Sequence, residues 1–349
     1  MKKSLVKAIV LLLLMCMAIS PVFAQGKQEE SNAFLASIAT DTGGLGDKSF
    51  NDSAYEGLVK ANADFGIDIN VVESKQMTDY VPNLSGLAED GANVVFAVGF
   101  LMDEAVKEVA ANYPDEWFAG IDIGTYGNAP DNFIGIQYNE HEAGYLAGIV
   151  AGMMTKEYAG NSPRLNDDNV VGVVLGMLIP PVEKYEVGFI QGVHYVNPTC
   201  EVLSVVVDSF TDSAKGKEAA LSMIEQGADI VFQAAGGAGI GAIQACDERG
   251  CFAIGVDIDQ YAVAPETVLT SATKGVTQSV YLVIKDVLDG KAVGGDVVYG
   301  INENAVGLAS FHDHAAIVPQ TVKDEVAKAI TDIKAGKRTI ETTRKAIGR

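Results

Sequence analysis

The sequence is poor in cysteine, histidine and basic residues. Four cysteines, four histidines and 25 lysines and arginines stand beside 46 aspartates and glutamates in 349 residues. The negative field of such a chain repels nucleic acid and anionic lipid headgroups, so we expect no nucleic-acid partner. Cys200, Cys246 and Cys251 are the cysteines beyond residue 24, and they are too few and too odd in number for a disulfide framework.

Motifs of catalysis and cofactor binding are also lacking. The spacing His312-x-His314 comes nearest to a metal site, and we interpret it as part of a solvated loop. No Gly-x-Ser-x-Gly elbow occurs, and no cysteine or serine has an obvious histidine partner. The sequence therefore predicts neither an enzyme nor a cofactor. Cys246 and Cys251 are either a local bridge in an oxidising compartment or two small buried hydrophobes, and both interpretations stay open.

Long apolar runs are confined to the first 24 residues. Lys2 and Lys3 precede an apolar run over 8–18, and Val22-Phe23-Ala24 supplies the small-residue end of an export signal. The run is too short for a comfortable membrane span. We therefore expect residues 1–24 to be a signal peptide and the remainder to be exported. Loss of this leader removes three lysines and no acid, which takes the formal net charge from −21 to −24.

Two forms of the exported protein stay open. Cys16 follows Leu13-Leu14-Met15 and would carry a lipid anchor if the leader follows the lipoprotein route, although methionine is a poor fit to the small residue usual before such a cysteine. The polar residues 25–33 suit either a tether or a free terminus. The expected location is the periplasm, or the cell membrane as an anchored lipoprotein.

Apolar runs of five or six residues alternate with amphipathic segments of helical period. This alternation is typical of parallel βαβ units, and the length favours two domains. We predict an α/β protein of two doubly wound parallel-sheet lobes with a ligand cleft between them. Lobe 1 is predicted over 34–159 plus 276–309, and lobe 2 over 160–275 plus 310–349.

Aspartates and glycines stand where predicted strands end. Asp41, Asp122 and Asp257 each follow an apolar run, and Gly236-Gly237 follow another. The carboxyl ends of parallel strands form the crevice in which ligands sit, so these residues are expected to converge on one small polar molecule. Asp257 in particular would accept from a diol, although the glycines near it lack the strict dinucleotide spacing.

The glycine-rich loop from Thr40 to Asn51 lies between the first strand and the first helix. Its glycines allow close approach to a ligand, while Asp41 and Asn51 offer hydrogen bonds and Phe50 a flat apolar face. Asn51 or Asp52 is the predicted N-cap of the helix. A plain turn before a capped helix is the alternative, and the phosphate-loop spacing is absent.

Three further residues are candidates with simpler alternatives. Lys274 follows the last strand of the second lobe and would donate to a hydroxyl that Asp257 also holds, unless it is merely solvated. Phe189 lies in an amphipathic helix and by default belongs to the core. Phe210 follows a strand and is the better candidate for the cleft.

The sequence resembles the basic membrane protein family, and within it the purine nucleoside receptor lipoproteins. The resemblance runs from about Phe34 to Gly307. The two most specific blocks are Asp47-Lys48-Ser49-Phe50-Asn51 and Gly255-Val256-Asp257-Ile258-Asp259-Gln260-Tyr261. Further matching segments are Ala97-Val98-Gly99, Gly120-Ile121-Asp122, Asn139-Glu140, Ala143-Gly144-Tyr145-Leu146-Ala147-Gly148, Gly176-Met177 and Phe232-Gln233-Ala234-Ala235-Gly236-Gly237.

The resemblance implies a type I periplasmic-binding fold that closes on a nucleoside and delivers it to the permease and ATPase subunits of an ABC importer, with the receptor itself monomeric. Asp41, Asn51 and Asp122 would meet the purine, on which Phe50 would stack. Phe189 and Phe210 match aromatic positions of the family pocket. Gly237, Asp257 and Lys274 match the positions that hold the sugar.

Two alternatives accompany this hypothesis. The first is a binding protein for another small polar ligand, such as a sugar or an autoinducer. The second is an exported nucleoside hydrolase. The candidate set contains no arginine that would neutralise a phosphate, so we expect nucleosides to be preferred over nucleotides. Pro180-Pro181 lie beside the region that shapes the pocket and leave the base preference open.

Overall fold

A computed structural model describes residues 33–349. The predicted signal peptide, Cys16 and nearly all of the predicted polar tether lie outside the described residues. Within 33–349, none of the helices combines the length and the apolar character that crossing a bilayer requires.

The first of two six-stranded sheets is parallel throughout, in the order β11-β5-β4-β3-β1-β2. Its central strands are buried apolar runs, as expected for a sheet with both faces covered by helices. The strands are β1 Leu35–Thr40, β2 Asp68–Glu73, β3 Val94–Val98, β4 Trp117–Ile121, β5 Phe133–Tyr138 and β11 Gly295–Tyr299.

The second sheet has the order β12-β10-β9-β8-β6-β7 and is parallel except where β12 pairs antiparallel with β10. Both sheets therefore place several strand ends at one edge, where a cleft can form. The strands are β6 Val170–Leu175, β7 Glu201–Val206, β8 Ala228–Ala234, β9 Phe252–Asp257, β10 Val268–Lys274 and β12 Val306–Leu308.

Nine α-helices of the described chain connect and cover these strands. Their apolar residues pack on the sheets in three clusters of buried side chains. The helices are α1 Phe50–Phe65, α2 Tyr80–Glu89, α3 Asp103–Asn112, α4 Glu140–Met154, α5 Pro180–Val196, α6 Ser213–Glu225, α7 Gly236–Arg249, α8 Val276–Leu288 and α9 Gln320–Lys334.

Helices α4 and α5 pack unusually closely because glycines line their contact. A Cβ atom at Gly148 of α4 would lie 2.1 Å from the backbone oxygen of Phe189, and one at Gly192 of α5 would lie 2.1 Å from the backbone oxygen of Tyr145. Larger residues would force the helices apart. This contact determines how deeply α5 reaches toward the strand ends, so it bears on the site.

The lobe boundaries predicted from the sequence need correction at two places. Strand β12 falls within the predicted 276–309 return to lobe 1, yet it extends the second sheet. Helix α4 falls within 34–159, yet it packs against α5, β10, β12 and α9. The reason is that long-range strand pairing and helix packing decide lobe membership, and neither leaves a local signal in the sequence. The chain thus crosses between the lobes near Asn139 rather than near residue 160.

Candidate functional site

Strand ends of both sheets line one cleft of about 570 Å³, part of which is continuous with solvent. Seven of the nine residues predicted from the sequence line it together. They are Asp41, Phe50, Asn51, Asp122, Phe210, Asp257 and Lys274. The convergence follows from topology, because strand ends that are distant in the chain meet at the same sheet edge.

Two predicted residues lie elsewhere. The Phe189 ring is fully buried and packs against Phe232, with ring centroids 5.2 Å apart. Gly237 lines a neighbouring pocket with the loop residues Leu45 and Lys48, while Gly236 reaches the main cleft. Phe189 therefore supports the wall of the cleft from behind instead of lining it.

Asp41 and Asn51 form one corner of the cleft. Asp41 Oδ1 accepts from the backbone nitrogen of Gly43 at 2.9 Å and from Asn51 Nδ2 at 3.1 Å. Asn51 Nδ2 also donates to Asp47 Oδ2 at 3.3 Å, so the amide nitrogen faces two carboxylates and the orientation of the amide is determined. Asn51 Oδ1 is buried and has no hydrogen-bond partner among the described residues. The corner thus holds one buried acceptor without a protein partner in the described part of the chain.

Helix α1 begins at Phe50 with Ser49 as its N-cap, two residues before Asn51 and three before Asp52, the N-caps predicted from the sequence. The side chain of Asp47 accepts from the backbone nitrogens of Ser49, Asn51 and Asp52 at 2.9, 2.8 and 3.1 Å. A carboxylate that accepts the first free N–H groups of a helix does the work of an N-cap. Burial raises the pKa of Asp47 to about 6 against the effect of these bonds.

Lys274 lies at the centre of a second corner, among carboxylates. Its Nζ lies 2.7 Å from Asp122 Oδ2 and 3.4 Å from Glu140 Oε1, and its side chain is only 2% exposed. The ammonium also lies 4.8 Å from the ring centroid of Phe50, within cation–π range. An ammonium buried to this degree requires such partners.

Burial raises the pKa of Asp122 despite the attraction of Lys274, and the neighbouring Glu140 adds to the rise. Burial lowers the pKa of Lys274, but the carboxylates of Asp122, Glu140 and Asp257 outweigh that effect and raise it overall. Burial also raises the pKa of Asp257. Several carboxylates that share one buried cation make the cleft unfavourable for an anionic ligand.

Asp122 and Asp257 share an uncommon backbone conformation. Both follow or end a strand with positive φ, 64° for Asp122 and 63° for Asp257. Residues other than glycine seldom adopt this region, and aspartate tolerates it better than most. The matching conformations in the two sheets turn both side chains toward the shared cleft.

The remaining walls are apolar and aromatic. Phe210 packs where a Cβ at Gly176 would lie 2.3 Å from its ring, so the glycine makes room for the aromatic side chain. The lining also includes Phe100, and the first two turns of α5 contribute Pro181 and Tyr185. Flat apolar walls beside carboxylates suit a planar ligand with polar edges.

Several residues of the site were not predicted from the sequence. Tyr185 hydroxyl lies 3.4 Å from Asp257 Oδ1, and Glu140 lies beside Lys274 although 134 positions separate them. Asp47 was part of the glycine-rich loop but was not predicted to contribute. It lies two residues before the N-cap Ser49, outside the capping-box spacing, so no local pattern marks it.

Two α/β lobes that enclose a polar and aromatic cleft define a solute-binding protein. A solved ABC transporter solute-binding protein from Aeropyrum pernix K1 superposes with a TM-score of 0.83 at 26% identity, covering 89% of this chain and 94% of that one. Over residues 35–341 the chain matches the family model of PnrA-like ABC transporter substrate-binding proteins. The chain belongs to this family, which confirms both the predicted resemblance and the predicted fold class.

Similar proteins from other organisms support the same family. Basic membrane protein A of Borreliella afzelii is 31% identical over 303 residues, covering 85% of this chain and 88% of the relative. An uncharacterised lipoprotein of Pyrococcus abyssi is 32% identical over 323 residues, covering 87% of this chain and 78% of the relative. The family and the structural neighbour are solute-binding proteins rather than enzymes.

Proposed function

We propose that the protein captures nucleosides, above all purine nucleosides, by closure of its two lobes and delivers them to an ABC importer. The observation that carries this proposal is that one cleft combines the ring of Phe50 with carboxylates from both lobes, Asp41 from the first and Asp257 from the second. A nucleoside has a flat base and a sugar with vicinal hydroxyls, and each part has a suitable partner there.

The base would stack on Phe50 and meet the corner of Asp41 and Asn51. Stacking of a base on an aromatic ring contributes about 1–3 kcal/mol. Asn51 Oδ1 is an acceptor without a protein partner, so a ligand with an N–H donor satisfies it. The edges of purine bases carry such donors.

The sugar would lie toward Asp257. A hydrogen bond from a hydroxyl to a carboxylate contributes about 1.5–3 kcal/mol. We assign Lys274 as the neighbouring donor, held in place by Asp122 and Glu140. Gly237 and Phe189 would then act indirectly, Gly237 at the edge of the adjacent pocket and Phe189 behind the wall.

The charge of the cleft favours a neutral ligand. Its lining includes Asp41, Asp47, Asp122 and Asp257 but no arginine among the described residues, and Lys274 already pairs with carboxylates. A phosphate would meet repulsion from these acids without a guanidinium to compensate. We therefore expect nucleosides to bind far better than nucleotides.

Isothermal titration calorimetry tests the proposal. Guanosine, adenosine and inosine are titrated into protein refolded free of carried-over ligand, with guanosine monophosphate and ribose as matched comparisons. Binding of at least one nucleoside, at least a hundredfold tighter than its monophosphate or ribose, supports the proposal. Failure of all three nucleosides to bind rejects it, and tighter binding of a free sugar favours the sugar-receptor alternative.

A nucleoside hydrolase would bind the same ligand as a nucleoside receptor but would cleave it into base and ribose. Incubation of the protein with inosine, followed by chromatography for hypoxanthine and ribose, separates the two activities. We expect inosine to be recovered intact, because the family and the structural neighbour are solute-binding proteins. Release of free base in proportion to protein concentration would favour the hydrolase.

The proposal includes the cellular setting. Permease and ATPase subunits are the expected partners of an ABC substrate-binding protein, and we propose that the receptor acts as a monomer on the outer side of the cell membrane. Lipidation at Cys16 would anchor it there, as the lipoprotein names of relatives suggest. Mass spectrometry of the mature N-terminus distinguishes an acylated Cys16 from cleavage after Ala24.

A further inference from the structure

Two sequence blocks interlock across the cleft. One is the loop Asp47-Lys48-Ser49 between β1 and α1 of the first lobe, and the other runs from Val256 to Gln260 at the end of β9 in the second lobe. Ser49 Oγ donates to Asp257 Oδ2 at 2.6 Å, and Gln260 Nε2 donates to the backbone oxygen of Lys48 at 2.8 Å. These contacts are buried or partly buried.

The first lobe holds its side of this contact rigidly. Asp47 accepts from the backbone nitrogen of Ser49, and Asp52 accepts from the backbone nitrogens of Gly46 and Lys48 at 2.7 and 2.9 Å. Lys48 has a φ of 49°, a conformation that only such surrounding bonds sustain. The loop therefore presents the Lys48 carbonyl and the Ser49 hydroxyl in a fixed arrangement.

The second lobe also holds its side of the contact in place by hydrogen bonds. Gln260 Oε1 accepts from Gln233 Nε2 at 2.6 Å and from the backbone nitrogen of Val256 at 3.0 Å, so its Nε2 must face the other lobe. Gln260 is 1% exposed and Gln233 is fully buried. Bonds within the second lobe thus orient the amide that crosses the cleft.

We propose that Ser49 and Gln260 are positioning residues that latch the two lobes together around the ligand. We call the Ser49–Asp257 and Lys48–Gln260 hydrogen bonds the cross-cleft latch. Opening of the cleft must break both bonds, so the latch controls how fast a bound ligand leaves. Ser49 also orients the carboxylate of Asp257, which links closure of the lobes to the geometry of the site.

The latch is distinct from the ion pair of Lys274 with Asp122, which also joins the lobes. Lys274 lies two residues before Val276, where the chain enters α8 of the first lobe. That ion pair therefore lies beside a crossing of the chain, where relative motion is small. Ser49 and Gln260 lie on the loops after β1 and β9, and neither loop carries the chain from one lobe to the other, so their contacts must separate when the cleft opens.

Each of two variants removes one hydrogen bond of the latch. Ser49→Ala deletes the donor to Asp257. Gln260→Glu keeps an oxygen toward Gln233 and Val256 but places a second oxygen against the Lys48 carbonyl. Ser53→Ala is the matched control, since Ser53 is a buried serine of α1 whose hydroxyl donates to the backbone oxygen of Phe50 within the same lobe.

Stopped-flow dissociation of guanosine gives the first readout. We expect Ser49→Ala and Gln260→Glu to raise the dissociation rate about tenfold, as the loss of one hydrogen bond to a charged or buried group would, and to leave the association rate within about twofold. Ser53→Ala should match the wild type in both rates. A loss confined to the association rate, or no change in either variant, would overturn the latch.

The stopped-flow experiment depends on the proposed nucleoside function, because it measures release of guanosine. Small-angle X-ray scattering of the ligand-free protein does not depend on it. The latch predicts that both variants, purified without nucleoside, have a larger radius of gyration than the wild type and than Ser53→Ala. Equal radii in all four proteins would refute it. A wild-type protein that binds no nucleoside would reject the proposed function and leave the scattering comparison decisive for the latch. Thermal unfolding confirms that each variant is folded.

Discussion

The ammonium of Lys274 lies 2.7 Å from Asp122 Oδ2, although Lys274 ends a strand of the second sheet and Asp122 follows a strand of the first. Both side chains are almost completely buried, at 2% and 6% exposure. A buried ion pair stabilises little by itself, but loss of one partner leaves an uncompensated charge. The pair therefore makes the cleft sensitive to substitution in a way that can be measured without any ligand.

We expect Lys274→Met to lower the free energy of unfolding by about 3–5 kcal/mol, because Asp122 and Glu140 lose their shared cation. The double variant Lys274→Met/Asp122→Asn should recover part of this loss, since the amide carries no charge. Urea unfolding followed by circular dichroism measures both. Lys285→Met is the control, because that lysine lies at the surface in an i,i+4 pair. Strictly additive effects of the two changes would argue against the pairing.

Phe50→Ala should weaken nucleoside binding by about 1–3 kcal/mol, because the base loses its stacking surface. Phe65→Ala is the matched control, since Phe65 ends the same helix and packs on Tyr281 with ring centroids 4.9 Å apart, outside the cleft. Calorimetry with guanosine compares the two. The control should lose stability but not affinity. Equal affinity losses in both variants would place the stacking role in doubt and favour a general effect on the helix.

Asp257→Ala should weaken binding of guanosine at least tenfold more than binding of guanine, because only the nucleoside carries the hydroxyls that the carboxylate accepts. Asp259→Ala is the control. Asp259 lies two residues away and pairs with His312 at the surface rather than facing the cleft. Competition titrations against a fluorescent nucleoside analogue measure both ligands. An equal loss for base and nucleoside would refute a sugar-binding role.

The order of strands and helices could be predicted from the sequence, because strands are short apolar runs and helices are amphipathic segments of helical period. Strand β3, for example, is the apolar run Val94–Val98, and all five residues are buried. The start of α1 could not be predicted in the same way. A side chain outside the helix, Asp47, supplies its cap, and the geometry of a loop decides which residue reaches the N–H groups.

The site was predictable where topology alone brings residues together. Strand ends such as Asp41 and Asp257 had to meet at a sheet edge. Residues of α5 depend instead on the depth of helix packing. Tyr185 and Phe189 lie one turn apart on the same face, yet Tyr185 reaches the cleft and Phe189 packs on Phe232. The glycine contact between α4 and α5 determines that depth, and its effect appears only in three dimensions.

Asp229 offers a test of electrostatics away from the ligand. It is 1% exposed, and burial raises its pKa from 3.8 to about 7 although Asn166 and Thr155 donate to it. Because the folded protein binds this proton more tightly than the unfolded chain, ionisation costs stability. This cost of ionisation is absent below pH 4, where the carboxyl is protonated in both states. The free energy of unfolding then falls as the pH rises toward 7. The rise in pKa corresponds to on the order of 4 kcal/mol.

The variant Asp229→Asn cannot ionise and should lack this fall. Urea unfolding at pH values from 4 to 8 should show the wild type losing stability relative to the variant as the pH rises, with most of the loss complete by pH 7. Asp167→Asn changes an exposed aspartate of the same loop and is the control, which should run parallel to the wild type. Parallel profiles for wild type and Asp229→Asn would mean that the bonds from Asn166 and Thr155 compensate the burial of the carboxylate, and that Asp229 is ionised throughout the range.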